Sequence, residues 1–117
     1  MNRWTTNAGY IVLWLIIISI AAGVVSYPSK GDRLLKAASS NDTNGVASLI
    51  AEGVPVDYKR KDGRTPLMRA AELGHLETAR LLINFGAKKE LRDNSGRTAL
   101  AFAKEKGRLE VVNLLGK

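Results

Sequence analysis

Cysteine is absent from this 117-residue chain, and histidine occurs once, at His75. Disulfides, thiol nucleophiles and cysteine metal sites are therefore excluded. A single imidazole leaves no His-x-x-His or His-Glu-x-x-His pair. No Gly-rich phosphate loop follows a strand, and no serine stands in a recognisable nucleophile motif. The chain reads as a non-enzyme that needs neither a metal nor a cofactor. Aromatic residues are scarce, at 6%, and from residue 27 onward none interleaves with the cations as a base-stacking platform. Nucleic-acid binding is therefore not expected, despite a net charge of +7.

Charge is also missing locally. The first 26 residues hold one cation, Arg3, and no acid, and the run Ala8–Ser26, AGYIVLWLIIISIAAGVVS, contains 19 uncharged residues. As a helix it would measure roughly 28 Å, close to the hydrocarbon thickness of a bilayer. Trp4, Tyr10 and Tyr27 stand where interfacial aromatics anchor a span. A helix that is apolar all round has no place inside so small a domain. Residues 1–27 therefore read as a transmembrane anchor or signal segment. Cleavage near Ala21-Ala22-Gly23 or Val24-Val25-Ser26 is the competing reading, and the length of the run favours the uncleaved anchor. Cations before and after the span nearly balance, and a signal-anchor reading places the remainder of the chain on the extracytoplasmic side.

Beyond the apolar run the chain repeats itself. Gly63-Arg64-Thr65-Pro66-Leu67 with Ala70 and Gly74 recurs 33 residues later as Gly96-Arg97-Thr98-Ala99-Leu100 with Ala103 and Gly107. Gly74-His75-Leu76-Glu77 likewise returns as Gly107-Arg108-Leu109-Glu110, and a more degenerate copy lies 33 residues upstream, on Leu34, Ala37, Ala38, Leu49 and Gly53. A fixed period of this length marks a stacked repeat protein. These residues resemble the ankyrin repeat family. The resemblance implies an all-α ankyrin repeat solenoid of about three helix pairs over residues 28–117, with repeats at about 31–62, 63–95 and 96–117.

Local chemistry leads to the same helix pairs. Thr65 is suited to cap a helix and Pro66 to occupy its first position, so a helix is predicted from Pro66 to about Leu73, broken by Gly74. A second is predicted over Leu76–Phe85, with Leu76, Ala79, Leu82 and Ile83 on one face and Gly86 as its left-handed closing residue. The polar stretch Ala87–Ser95 suits an exposed turn. His75 lies in the inter-helix turn, where the family uses it structurally. Glu77 and Glu110 begin equivalent helices and suit the helix dipole. The degenerate first copy and the short last copy read as polar end caps.

Residues 27–117 carry 17 Lys and Arg against 11 Asp and Glu, a net of +6. Lys59, Arg60, Lys61 and Arg64 enter the central unit, and Lys88, Lys89, Arg92 and Arg97 stand 29 to 33 residues later. Loops one period apart project side by side, so these clusters should merge into one basic ridge suited to an acidic protein face or to anionic lipid. In the family, partners dock on loop tips and on the inner faces of the first helices. Carried onto this chain, the resemblance implies Lys59, Lys61, Asp62, Arg64 and Leu73, then Arg92, Asn94 and Arg97, with Arg69 and Phe102 flanking the same surface. Arg60 replaces the usual loop Asp, Met68 and Ala101 replace the usual His, and Ala99 replaces Pro, changes expected to remove polar braces between loops. The layout resembles small membrane-anchored ankyrin proteins of the bacterial envelope. It implies a protein–protein interaction module, namely an inner-membrane adaptor or scaffold for an acidic partner. The alternative is an exported, periplasmic or secreted ankyrin protein acting as an inhibitor, an immunity-type binder or a protector of another protein.

Overall fold

The computed structural model describes residues 3–21, 23 and 27–117, and among them the chain forms seven helices joined by turns. Helix α1 spans Arg3–Ala21. The expected span Ala8–Ser26 is helical as far as Ala21, and residues 22 and 24–26 lie outside the described residues. Among the described residues no helix is long and apolar enough to cross a membrane. The side chains from Tyr10 to Ile18 are all exposed, between 46% and 61%.

Helix starts follow from side-chain chemistry. Ser29 and Asp32 form a reciprocal capping box that opens α2 (Lys30–Ser39) in the unit lacking a Thr-Pro turn. Asp42 then caps α3 (Thr43–Ala51) by accepting the Gly45 N–H at 2.9 Å. In the central unit Thr65 Oγ1 accepts the Met68 N–H at 3.3 Å and Pro66 fills the first turn of α4, Pro66–Leu73. Helix α5 covers Leu76–Asn84, one residue short of the expected end because Phe85 caps it, and Gly86 follows at φ +94°. Thr98 repeats the role of Thr65 for α6, Ala99–Glu105, and α7 covers Leu109–Leu115.

None of these short pairs can bury its apolar stripe alone. They stack in two layers, α2, α4 and α6 in one and α3, α5 and α7 in the other. Leu34, Leu67, Ala38, Ala70, Ala71 and Phe102 fill the first layer, and Val46, Ala79, Leu82 and Val111 fill the second, all at 1% exposure or less. At the register position where Ala38 and Ala71 are fully buried, the third unit carries the exposed Lys104.

Polar braces recur with the same period but with different residues. His75 Nε2 lies 2.9 Å from the Ser39 carbonyl, and one period on Arg108 Nε donates to the Glu72 carbonyl at 3.1 Å. Each satisfies a carbonyl left unpaired at the end of the preceding inner helix. Because a carbonyl only accepts, His75 carries its proton on Nε2. Its counterpart in the next unit is an arginine, which points to a structural role for both. Fully buried Thr78 donates to Asn41 Oδ1 at 2.7 Å and joins the first two units again.

Two stability effects follow. Leu82→Ala opens a void between units and should cost about 2 to 5 kcal/mol, read as a lower urea midpoint; an unchanged midpoint would remove Leu82 from the stacking core. Gly63 and Gly96 stand one period apart, both at φ +80°. A Cβ on Gly63 would lie 2.8 Å from the Asn94 backbone nitrogen, whereas one on Gly96 meets nothing within 4 Å. Gly96→Ala should therefore cost only the backbone strain, about 1 kcal/mol. Gly63→Ala should cost clearly more, and equal losses in chemical denaturation would mean that the neighbouring loop yields freely.

Candidate functional site

The loops that follow α3 and α5 are each closed by their own backbone. Arg60 N–H donates to the Arg64 carbonyl at 3.0 Å, and one period later Asp93 N–H donates to the Arg97 carbonyl at 2.9 Å. Asn94 ties the two loops together: its backbone N–H donates to the Asp62 carbonyl at 2.9 Å and its Nδ2 to the Lys61 carbonyl at 2.7 Å. Lys88 N–H adds a bond to Asp57 Oδ1 at 3.1 Å. The structure thus supplies, through Asn94, the bracing that the substitutions at Arg60, Met68 and Ala101 were expected to remove. The two basic clusters are neighbours, as the period predicts. Lys59, Lys61, Asp62 and Arg92 are exposed on this edge, and Asp62 accepts the Arg64 N–H at 3.0 Å.

Four of the expected surface residues meet elsewhere. Phe102 is 1% exposed, so it does not reach a partner. It lies in the inner-helix layer because that register position faces the neighbouring unit. Its ring carries two guanidinium groups, with Arg64 Cζ 4.7 Å and Arg97 Cζ 4.3 Å from the centroid. An aromatic face attracts cations at such distances, and the buried Arg97 Nε, which has no hydrogen-bond partner, belongs to one of these stacked groups. Glu72 Oε2 accepts from Arg64 Nη1 and Arg69 Nη1, both at 2.8 Å, and Arg69 Nε donates to Ser39 Oγ at 3.1 Å. One period on, Arg97 pairs with Glu105 at 3.2 Å. Arg64, Arg69 and Arg97 are therefore half-buried and partnered, and Leu73 is half-buried at the end of α4. They support the ridge from beneath, whereas Lys59, Lys61 and Arg92 form its open edge.

Two cations that the family positions do not include also face this region. Lys36 and Arg60 line a hollow beside the ridge together with Arg64 and Arg69. The signal was present in the sequence, since the 33-residue shift sets Arg60 against Asp93. Its meaning depends on which side chains fill the space.

Asp93 shows what that loop position can do. Its Oδ1 accepts the N–H groups of Ser95 and Arg97, both at 2.9 Å, and Oδ2 lies 3.5 Å from Arg97 Nη2. The Arg97 backbone bond, chiefly, holds this carboxyl below the ordinary 3.8, helped by Ser95 and by the Arg97 and Arg64 charges against an opposing effect of burial. A lowered folded value means that the stabilisation is complete above the ordinary value and is lost as pH falls through the folded one. Asp93→Asn should lower the thermal midpoint at neutral pH, and the gap to the natural chain should close below about pH 4. A gap that persists at pH 2 would assign the loss to shape instead of charge.

The repeated sequence finds its match among known proteins. A family model described as ankyrin repeats in three copies matches residues 34–117. The rabbit (Oryctolagus cuniculus) protein "Ankyrin repeat, SAM and basic leucine zipper domain-containing protein 1" is 35% identical over 62 residues, and its counterpart in the bat Carollia perspicillata is 34% identical over the same length. The matched stretch covers 53% of this chain but only 13% of either relative, so the likeness concerns the repeats alone. Ankyrin repeats are protein–protein interaction modules and are generally non-catalytic. With its three helix pairs, its recurring caps and a family match over residues 34–117, this chain belongs to the ankyrin repeat family.

Proposed function

We propose that this chain is an adaptor tethered to a membrane by its N-terminal helix, whose repeat domain holds an acidic protein partner on the ridge formed by Lys59, Lys61 and Arg92. The observation that carries the reading is the state of these three side chains. They are exposed on adjoining loops locked together by Asn94, and among the described residues none forms an ion pair. The cations beneath them are consumed by Glu72, Asp93, Glu105 and the Phe102 ring. A rigid edge of uncompensated positive charge attracts an acidic surface at range and loses little entropy on docking.

The tether rests on the 19-residue uncharged run Ala8–Ser26, which continues past the described helix. The uncovered side chains from Tyr10 to Ile18 support it, because an apolar helix exposed on all sides calls for an apolar surround. In the arrangement that the bacterial resemblance suggests, the repeat domain lies on the extracytoplasmic side of the inner membrane. Anionic lipid near the short linker is a secondary contact for the same ridge.

The test has two parts. The full chain should stay in membranes through high-salt and carbonate washes; recovery of a soluble species beginning near Val24 or Tyr27 would move the reading to the exported alternative. Detergent-solubilised membranes then supply the partner. Reversing Lys61 and Arg92 to Glu should slow association about tenfold and flatten its salt dependence, whereas reversing Lys104 and Lys106 should change it far less. Arg64 is unsuitable for this comparison, since its reversal would also break the Glu72 pair and the Phe102 stack. Equal losses from both double variants would assign the association to net charge and sink the ridge.

A further inference from the structure

A hollow of about 480 Å³ opens between the first and second units, on the side of the inner helices. Lys36, Arg60, Arg64 and Arg69 line it, with Asp32 and Asp62 beside them and Leu35 and Ser39 on the α2 side. The repeat supplies an internal control. Moved one period along, Arg69 becomes Phe102, whose buried ring fills the corresponding space. Ser39 becomes Glu72, which neutralises Arg64 and Arg69 at 2.8 Å. Arg60 becomes Asp93, which lies 3.5 Å from Arg97. The second interval is thus filled and compensated by its own residues, and the first is open and cationic.

The difference carries a structural cost. Asp93 braces its loop through the N–H groups of Ser95 and Arg97. The Arg60 side chain cannot accept a hydrogen bond, so within its loop the only side-chain bond to the backbone is that of Asp62 to the Arg64 N–H. A stabilising carboxylate has given way to a cation that among the described residues finds no hydrogen-bond partner, and departures of this kind gather at functional sites. The nearby acids offset the charge of the hollow only in part. Asp32, held by Ser29 and by the Tyr58 hydroxyl at 3.3 Å, faces the Arg60 charge, and Asp62 lies 3.8 Å from Arg64 Nε. Glu72 takes one nitrogen each from Arg64 and Arg69, and the exposed Lys36 and Arg60 form no ion pair among the described residues, so the hollow keeps an excess of positive charge for a ligand.

We infer that this hollow binds a Glu-rich extended segment of a protein partner. Guanidinium groups match carboxylates in geometry as well as charge, and the exposed Pro28 offers apolar surface to the glutamate methylenes. A free phosphate or a single headgroup would leave most of the volume empty, whereas a few consecutive side chains fill it. The inference rests on the reading of this domain as a binder of acidic protein, and adds a site separate from the Lys59–Lys61–Arg92 edge.

The probe is a fluorescein-labelled hexaglutamate peptide, titrated by anisotropy into the full-length chain in a nonionic detergent. Arg60→Asp installs the carboxylate that the next loop already uses, so its thermal midpoint should match or exceed that of the natural chain while peptide affinity falls at least about tenfold. Lys36→Ala should weaken binding in the same direction by an independent change. Lys104→Glu matches the charge change of Arg60→Asp outside both sites and should alter affinity less than about twofold. Loss only in the Lys61 and Arg92 double reversal would keep the ridge and overturn the hollow; loss in Arg60→Asp with the double reversal unaffected would keep the hollow and count against the ridge. Absence of hexaglutamate binding, equal losses in Arg60→Asp and Lys104→Glu, or displacement of the peptide by equimolar dioctanoyl phosphatidylserine would each overturn the inference.

Discussion

Helices of seven to ten residues, joined in pairs, cannot keep an apolar stripe out of water unless another pair covers it, and every other feature of the repeat domain depends on this stacking. Alanine makes it possible at close range. Ala38 and Ala71 put almost no side chain between neighbouring inner helices, so Leu34, Leu67 and Phe102 can interleave across the layer. The same position holds the exposed Lys104 in the third unit.

Stacking at a fixed period also converts a sequence pattern into a surface. Residues 33 apart become neighbours, and the Asn94 bonds to Lys61 and Asp62 turn two loops that would be mobile alone into one edge. The protein sorts its cations by depth along that edge. Those near the core are stacked on Phe102 or paired with Glu72, Asp93 and Glu105, since a half-buried charge without a partner is costly. Those at the tip, such as Lys59 and Lys61, stay in water and keep their charge available.

Much of the fold could be read along the chain. Thr65-Pro66, Gly74 and Gly86 are local signals whose meaning is fixed by backbone geometry, so the limits of α4 and α5 were legible to within one residue. The first unit was harder: Ser29 and Asp32 replace the Thr-Pro turn with a capping box that starts the helix three residues earlier in the register. Of the site, the adjacency of the two basic clusters followed from the period. The fate of each cation did not, because Phe102 and Arg69 share a register position and only packing shows that one fills a space and the other lines it.

Period, composition and cap residues are properties of the chain in order, and they determined by themselves that this is a stacked helical repeat without thiol or multi-histidine chemistry, preceded by a long uncharged run. Contacts between residues far apart in sequence decided the rest. The tertiary structure buried Phe102 beneath two arginines, assigned His75 and Arg108 to the same carbonyl-bracing task, and left the first inter-unit space open while closing the second. Burial and pairing depend on what arrives from the neighbouring unit, and no local pattern can state that, because the energy of a charge or a ring is set by its surroundings and not by its place in the sequence.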